Sequence, residues 1–405
     1  MSTAITTVHG GICAPQGYRA SAVHAGFYPP PRLDQALITS NPPATAAGMF
    51  TTSQFPAAGV TLCKKRINNP IAGIIVNSGN ANAWTTRDGL QCAEDICAAI
   101  ATLLNAPAEN FLHLSTGVIG KDMPPVESLH EAFNTLVHGL GNSPEHAARA
   151  AHAIMTTDTI HKETARQIIT STGTITIGGM TKGSGMISPN LATLLTFITT
   201  DAALTKTDLQ ECLCNAVDVS LNCLTIDGDM STNDSVILLA NGAAGQPPLN
   251  ENDKALFCEA LKDILTELTI LMAHDAEGAT KCIMIDIINA DSNDAARTVG
   301  LAVANSLLVK TAVHGNDANW GRILARLGKT SVHINPYSVR ILFADTIVFE
   351  KGHAVPFDEK KMKNSLADTD EIAITIDLNN GTFRQRIFTC DLSAEYVKIN
   401  ASYRS

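Results

Sequence analysis

A mixed α/β fold is what this sequence predicts, on three observations. Ile283, Ile285 and Ile287 alternate with other residues in CIMIDII, the period of two that marks a half-buried strand. Leu256, Ala260, Ile264, Leu268 and Leu271 recur at helical spacing and form one apolar stripe. Hydrophobic residues make up 45% of the 405 residues, in runs well short of the roughly 18 that a membrane helix needs, which is ample for buried cores in two or three domains of about 150 residues.

In chain order, the first strand signal is IAGIIVNSG from Ile71, an aliphatic run that ends in turn-forming residues. A helix is predicted over 90–104 and a strand at TITIGGM from Thr174. The next stretch reads two ways. Ser188 suits an N-cap and Pro189 a first helical position, after which Leu191, Leu194, Leu195 and Ile198 fall on one helical face. Alternatively, Gly183 and Gly185 make a permissive approach to Ala192-Thr193. A helix over 207–219 and a strand at SVILLANG from Ser235 follow. The Pro/Gly-rich stretch Gly242 to Pro248 is the best candidate boundary, opening a smaller α/β region at about 245–340. Beyond it come helices over 254–272 and 295–308, with the CIMIDII strand between them. A late hairpin is predicted, in which EIAITIDL and TFRQRIFTCDL flank Asn379-Asn380-Gly381.

Composition narrows the function classes. A net charge of −10 argues against a nucleic-acid partner, which would need a basic stripe. MSTAITTVHGG has no basic region followed by an apolar one, so a cytoplasmic protein, neither exported nor membrane-spanning, is expected. The ten cysteines are scattered. Cys212 and Cys214 sit two apart in a predicted helix and point away from each other, so reduced thiols and no metal site are expected. TIDGDMSTNDS carries Asp227, Asp229 and Asp234 without the glycine and glutamate of a calcium loop, and reads as a structural or site-lining segment. GGMTKGSG does not satisfy the phosphate-loop pattern.

A threonine in the position of Thr193 has a particular chemistry open to it. If its hydroxyl attacked the preceding carbonyl, the cut would free its own α-amine. Such amines titrate near about 7.7–8.0, so one residue would hold both nucleophile and base.

The chain resembles the ornithine acetyltransferase (glutamate N-acetyltransferase) family along nearly its whole length. The resemblance is carried by GYRASAVHAG at Gly17, PPATAAGMFTTSQFPAAGV at Pro42, VNSGNANAWT at Val76, STGVIG at Ser115, IMTTDT at Ile154 and KGSGMISPNLAT at Lys182. It continues in TIDGDMSTNDS, DAEGATK at Asp275, VKTAVHGNDANWGRI at Val309 and the final YVKINASYRS. The departures are small: Ser188 precedes Pro-Asn, the last residue is Ser405 where threonine is more usual, and GFYPPPRLDQALI is unusually proline-rich.

The resemblance implies a layered α-β-β-α sandwich of the N-terminal-nucleophile type, cut between Ala192 and Thr193 into interwoven fragments 1–192 and 193–405 that assemble as α2β2. It implies acetyl transfer from N-acetylornithine to glutamate by a ping-pong route in arginine biosynthesis. No cofactor is implied, and the resemblance leaves two types open, one that only passes acetyl between the amino acids and one that also takes it from acetyl-CoA as a substrate. Thr193 is the implied nucleophile, with Thr116 and Gly117 as the oxyanion hole. Thr156, Lys182, Thr193, Glu277, Asn400 and Ser405 are the implied substrate-binding residues, with Thr157 an alternative to Thr156. Glu277 suits an amine and Lys182 a carboxylate. VHGNDANWGRI, with Arg322, reads as shaping the site. The competing reading is a self-cleaving amidase or aminopeptidase, in which water replaces glutamate.

Overall fold

A computed structural model describes residues 4–188 and 194–402. Its first sheet holds nine strands: β1 (Ile5–Val8), β2 (Tyr18–Val23), β3 (Gln35–Phe50), β4 (Ile71–Asn77), β5 (Phe111–Ser115), β6 (Lys162–Thr170), β7 (Gly173–Lys182), β8 (Leu195–Thr200) and β9 (Ser235–Ala240). They run in the order β1-β6-β7-β8-β9-β3-β4-β5, with β2 also on β3. The long strand β3 serves two partners. Its first half pairs with β2 and β4, and Thr45–Phe50 pair with β9. Pro42 and Pro43 lie between, where they cannot donate to a ladder, and the register with β4 shifts between Thr39 and Ala44.

The strand period then sorts side chains into layers. Ile38, Ile74 and Leu112 meet Phe197 and Ile237 between the two halves of the sheet. Their neighbours Leu37, Ile75 and Phe111 point the other way, onto helices α2 (Gly89–Leu104) and α3 (His130–His138). On the opposite outer face, Ile177, Ile198 and Leu238 pack with Leu213, Ile264 and Leu268 of α5 (Lys206–Asp218) and α6 (Glu251–His274). This is the α-β-β-α layering that the resemblance implied. The first half also carries α1 (Ala58–Arg66) and α4 (Pro144–Ala153).

The second sheet, of six strands, is made from β10 (Cys282–Ala290), β11 (Arg340–Phe343), β12 (Thr346–Glu350), β13 (His353–Ala354), β14 (Glu371–Asp377) and β15 (Phe383–Cys390). With it come α7 (Asn293–Ala304), α8 (Leu307–His314), α9 (Trp320–Leu327), α10 (Glu359–Ala367) and α11 (Ala394–Ser402). Ile283, Ile285 and Ile287 share a core with Val299 and Val303 of α7.

Four expectations are corrected. The late hairpin is not one, because β14 and β15 lie on either side of β10, parallel and antiparallel to it. Asn379 takes a φ of 48°, as in a tight turn, yet Leu378 and Asn380 donate to Ile288 and Asn289, so the connection passes over the end of β10. The helix predicted over 295–308 stops at Ala304, and Ser306 accepts from the Val309 N–H to start a new one. The helical reading of 188–198 fails where it is described: residues 195–200 form β8, held between β7 and β9. Finally, Cys212 and Cys258 form a disulfide, with Cα atoms 5.3 Å apart, because α5 and α6 pack side by side. The other eight cysteines are free thiols, as expected.

Candidate functional site

Strand ends of the first sheet converge on a cleft of about 360 Å³, closed on its far side by α11. Thr116, Gly117, Thr156, Thr157, Lys182, Glu277 and Asn400, widely separated in sequence, all line it. Ala192, Thr193 and Ser405 lie outside the described residues.

Thr116 follows β5 directly. Its N–H donates to Asn77 O at 2.9 Å and its carbonyl accepts from Asn80 N–H at 3.1 Å, so the main chain is pinned from both sides. Gly117 has φ +131°, and a Cβ there would lie 2.5 Å from Asn80 N, so glycine is the residue that fits. Asn233 ties this corner to the segment before β9, donating to Ser115 O at 2.8 Å and Ala81 O at 2.6 Å.

Lys182 ends β7 and is only 2% exposed. Its ammonium donates to Thr156 Oγ1 at 2.8 Å and reaches Thr116 Oγ1 at 3.5 Å. Burial lowers its pKa, while the charge of Asp158 opposes that shift. Asp158 was not singled out from sequence, yet it organises this wall. Its carboxylate accepts from Gly183 N–H at 2.8 Å, Thr156 N–H at 3.0 Å and the Lys162 ammonium at 2.7 Å. Burial alone would raise its pKa, but Lys182 and Lys162 outweigh burial and hold the carboxyl well below the usual range. Lys162 also meets Asp275 at 2.5 Å, so this buried cluster is paired as buried charges must be.

The other wall follows α6. The Glu277 N–H donates to Ser184 O at 2.9 Å. A Cβ on Gly185 would collide with the Glu277 carboxylate, so that glycine is what lets the carboxylate lie against the segment leading to residue 193. Asn400, on α11, donates to Glu277 Oε2 at 2.8 Å. Asp227 accepts from the N–H groups of Met186 and Ile187 at 2.6 and 3.0 Å and from the Tyr396 hydroxyl at 3.3 Å. Burial raises its pKa, and burial followed by the nearby charge of Asp227 raises that of Tyr396. Asp227 and Asp229 line the cleft, whereas Asp234 is fully buried behind it.

The VHGNDANWGRI motif lies elsewhere. Asn316, Asp317, Asn319 and Trp320 line a separate cavity, and Arg322 donates to Leu308 O at 2.6 Å, tying α9 to α8. The expectation that this motif shapes the site is corrected: its turn residues order a helix junction. Among the described residues, no group of three or more His, Cys, Asp or Glu is arranged to hold a metal, and no helix is long and apolar enough to cross a membrane.

Residues 19–405 match the model of the ArgJ family. The chain belongs to that family. It is 41% identical over 393 residues to the arginine biosynthesis bifunctional protein ArgJ of Geobacter sulfurreducens, covering 96% of this chain and 99% of that one. It is likewise 41% identical over 402 residues to the ArgJ protein of Symbiobacterium thermophilum, covering 98% and 99%. Among solved structures, it resembles the ArgJ protein of Bacillus halodurans at 34% identity and a TM-score of 0.50, covering 51% of this chain and 98% of that one.

Proposed function

We infer that this protein is a self-processing acetyltransferase of arginine biosynthesis that carries acetyl from N-acetylornithine to glutamate on Thr193. The reading is supported above all by one arrangement. Lys182, Thr156 and Thr116 form a hydrogen-bonded row on one wall of a cleft, opposite the Glu277–Asn400 pair, at the end of the segment that leads to residue 193. A row of donors is what an oxyanion needs, and a carboxylate with a bound amide is what an amino-acid ammonium needs.

In this reading, Thr193 cuts the chain after Ala192 and leaves fragments 1–192 and 193–405. The Bacillus halodurans chain, matched over 98% of its own length but 51% of this one, has the length expected of a chain divided near its middle. Thr193 Oγ attacks the acetyl carbon of N-acetylornithine while the α-amine takes its proton. The carbonyl oxygen, now negative, is held by the Thr116 hydroxyl and Gly117 N–H. Because the Lys182 ammonium donates to Thr116 Oγ1, the hydroxyl proton of Thr116 is left to point at that oxygen. The amine of ornithine leaves with a proton, and glutamate's amine then takes the acetyl group from Thr193. Glu277 and Asn400 bind the substrate ammonium and Lys182, Thr156 and Ser405 its carboxylate. No cofactor enters the cycle, acetyl-CoA is a second acetyl donor, and the assembly is a cytoplasmic α2β2 pair of fragments.

Mass analysis of the purified protein is the first test. A Thr193 N-terminus is expected in the wild type and an uncut chain in Thr193→Ala; an uncut wild type removes the mechanism. Labelled ornithine should exchange into N-acetylornithine without glutamate. Exchange that requires glutamate would point to direct transfer, and release of acetate at a rate indifferent to glutamate would make the protein an amidase.

A further inference from the structure

We propose that Asp234 is a positioning residue for Thr193, acting through the backbone N–H of Leu194. The proposal rests on the reading of Thr193 as nucleophile. Leu194 is covalently next to that residue, and both of its main-chain polar groups are held by consecutive residues. Its N–H donates to Asp234 Oδ1 at 2.8 Å, and its carbonyl accepts from Ser235 N–H at 3.1 Å. Asp234 is itself clamped from the opposite side, where its carbonyl accepts from Thr51 N–H at 2.9 Å. The reacting threonine is thus followed at once by a residue that cannot shift along or across the sheet.

The chemistry at this spot is unusual for a strand end. The register of β8 with β9 begins at Leu195 and Ser235, so the ladder does not call for a side chain at 234. Asp234 is nevertheless 0% exposed, and its Oδ2 is buried with no hydrogen-bond partner among the described residues. Burial drives its pKa well above the carboxylate range, and the Leu194 N–H, the Lys182 charge and the Ser231 backbone, which act the other way, do not offset this. Attack geometry is sensitive enough to reward the clamp, since a misplacement of about 1 Å costs about 10²-fold in rate.

The test compares the wild-type chain with Asp234→Asn, Asp234→Ala, and a chain with the α-hydroxy analogue of leucine at 194, whose ester oxygen replaces the N–H. Cleavage is followed by mass, acetyl transfer as kcat and KM, and folding as Tm. The amide of asparagine keeps the acceptor, so Asp234→Asn should stay within about threefold of wild type in cleavage and kcat. The alanine and ester forms should lose at least about tenfold in kcat with KM unchanged. If Asp234→Ala does not fold, the ester form decides. Variants that lower Tm but leave cleavage and kcat intact overturn the proposal, as does an Asp234→Asn as impaired as Asp234→Ala. A wild type without a Thr193 N-terminus or acetyl exchange defeats the underlying reading instead, and shows itself before any variant is compared.

Discussion

The two walls of the cleft are built on opposite principles. On the side of Thr116, Thr156 and Lys182, positions are fixed by strand ends and by a buried set of charges in which Asp158 answers both Lys162 and Lys182. On the side of Glu277 and Asn400, one hydrogen bond of 2.8 Å joins a turn to an exposed residue of α11. Bond-making wants fixed dipoles, since reorganisation during the reaction costs rate. Choosing a substrate tolerates adjustment. The wall made from sheet ends suits the first task and the wall completed by the last helix suits the second.

Breaking the rigid wall should cost most. Asp158→Ala removes the carboxylate that faces two buried lysines, leaving Lys162 with Asp275 and Lys182 with the Thr156 hydroxyl, and removing one member of a buried pair costs about 3–5 kcal/mol. Chemical denaturation should show a loss of that size. A loss below about 1 kcal/mol would mean that the charges do not hold this wall together. Thr116→Ala should leave folding unchanged and lower kcat by about 10²–10³, the usual loss for one oxyanion donor. If KM rises instead while kcat holds, the two walls do not divide the work as described.

The other wall should respond in KM. Glu277→Gln keeps the shape and the bond to Asn400 but removes the charge, so KM should rise about tenfold, near 1.4 kcal/mol, with kcat falling less. Smallest of all is an effect away from the cleft. Glu163 has a buried Oε2 with no partner among the described residues, and burial raises its pKa from the ordinary 4.5 to about 6. The neutral form is favoured by the fold, so its contribution is whole below 4.5 and is lost as pH rises through about 6. Glu163→Gln should flatten the stability profile over that window, as read from Tm against pH; an unchanged slope would mean that the carboxyl is not what titrates.

What was legible in the sequence follows from the range of the signal. The strand at Cys282 announced itself by alternation, which is set by the strand's own geometry, and those at Ile71, Thr174 and Ser235 as short runs rich in β-branched residues. The residues of both walls were found through long shared motifs, and they meet in one cleft although Thr116 and Asn400 lie far apart in the chain. Pairings were not legible. Asn379-Asn380-Gly381 reverses the chain as expected, but a turn does not say whether another strand will occupy the gap, and β10 does. Asp158 was overlooked for the same reason, since nothing near it in IMTTDT tells that Lys182 will approach.

The strand order β7-β8-β9-β3 has one more consequence. Strand β8 lies after residue 193 and is seated between β7, which comes before it, and β9, which comes after; β9 in turn is seated on β3, from the early part of the chain. A nick between Lys182 and Leu195 therefore leaves two pieces laced like the fingers of folded hands. Neither could be lifted out without opening hydrogen-bond ladders on both sides. Two halves made separately and mixed would have to build the β7-β8 and β9-β3 ladders between chains to reach it.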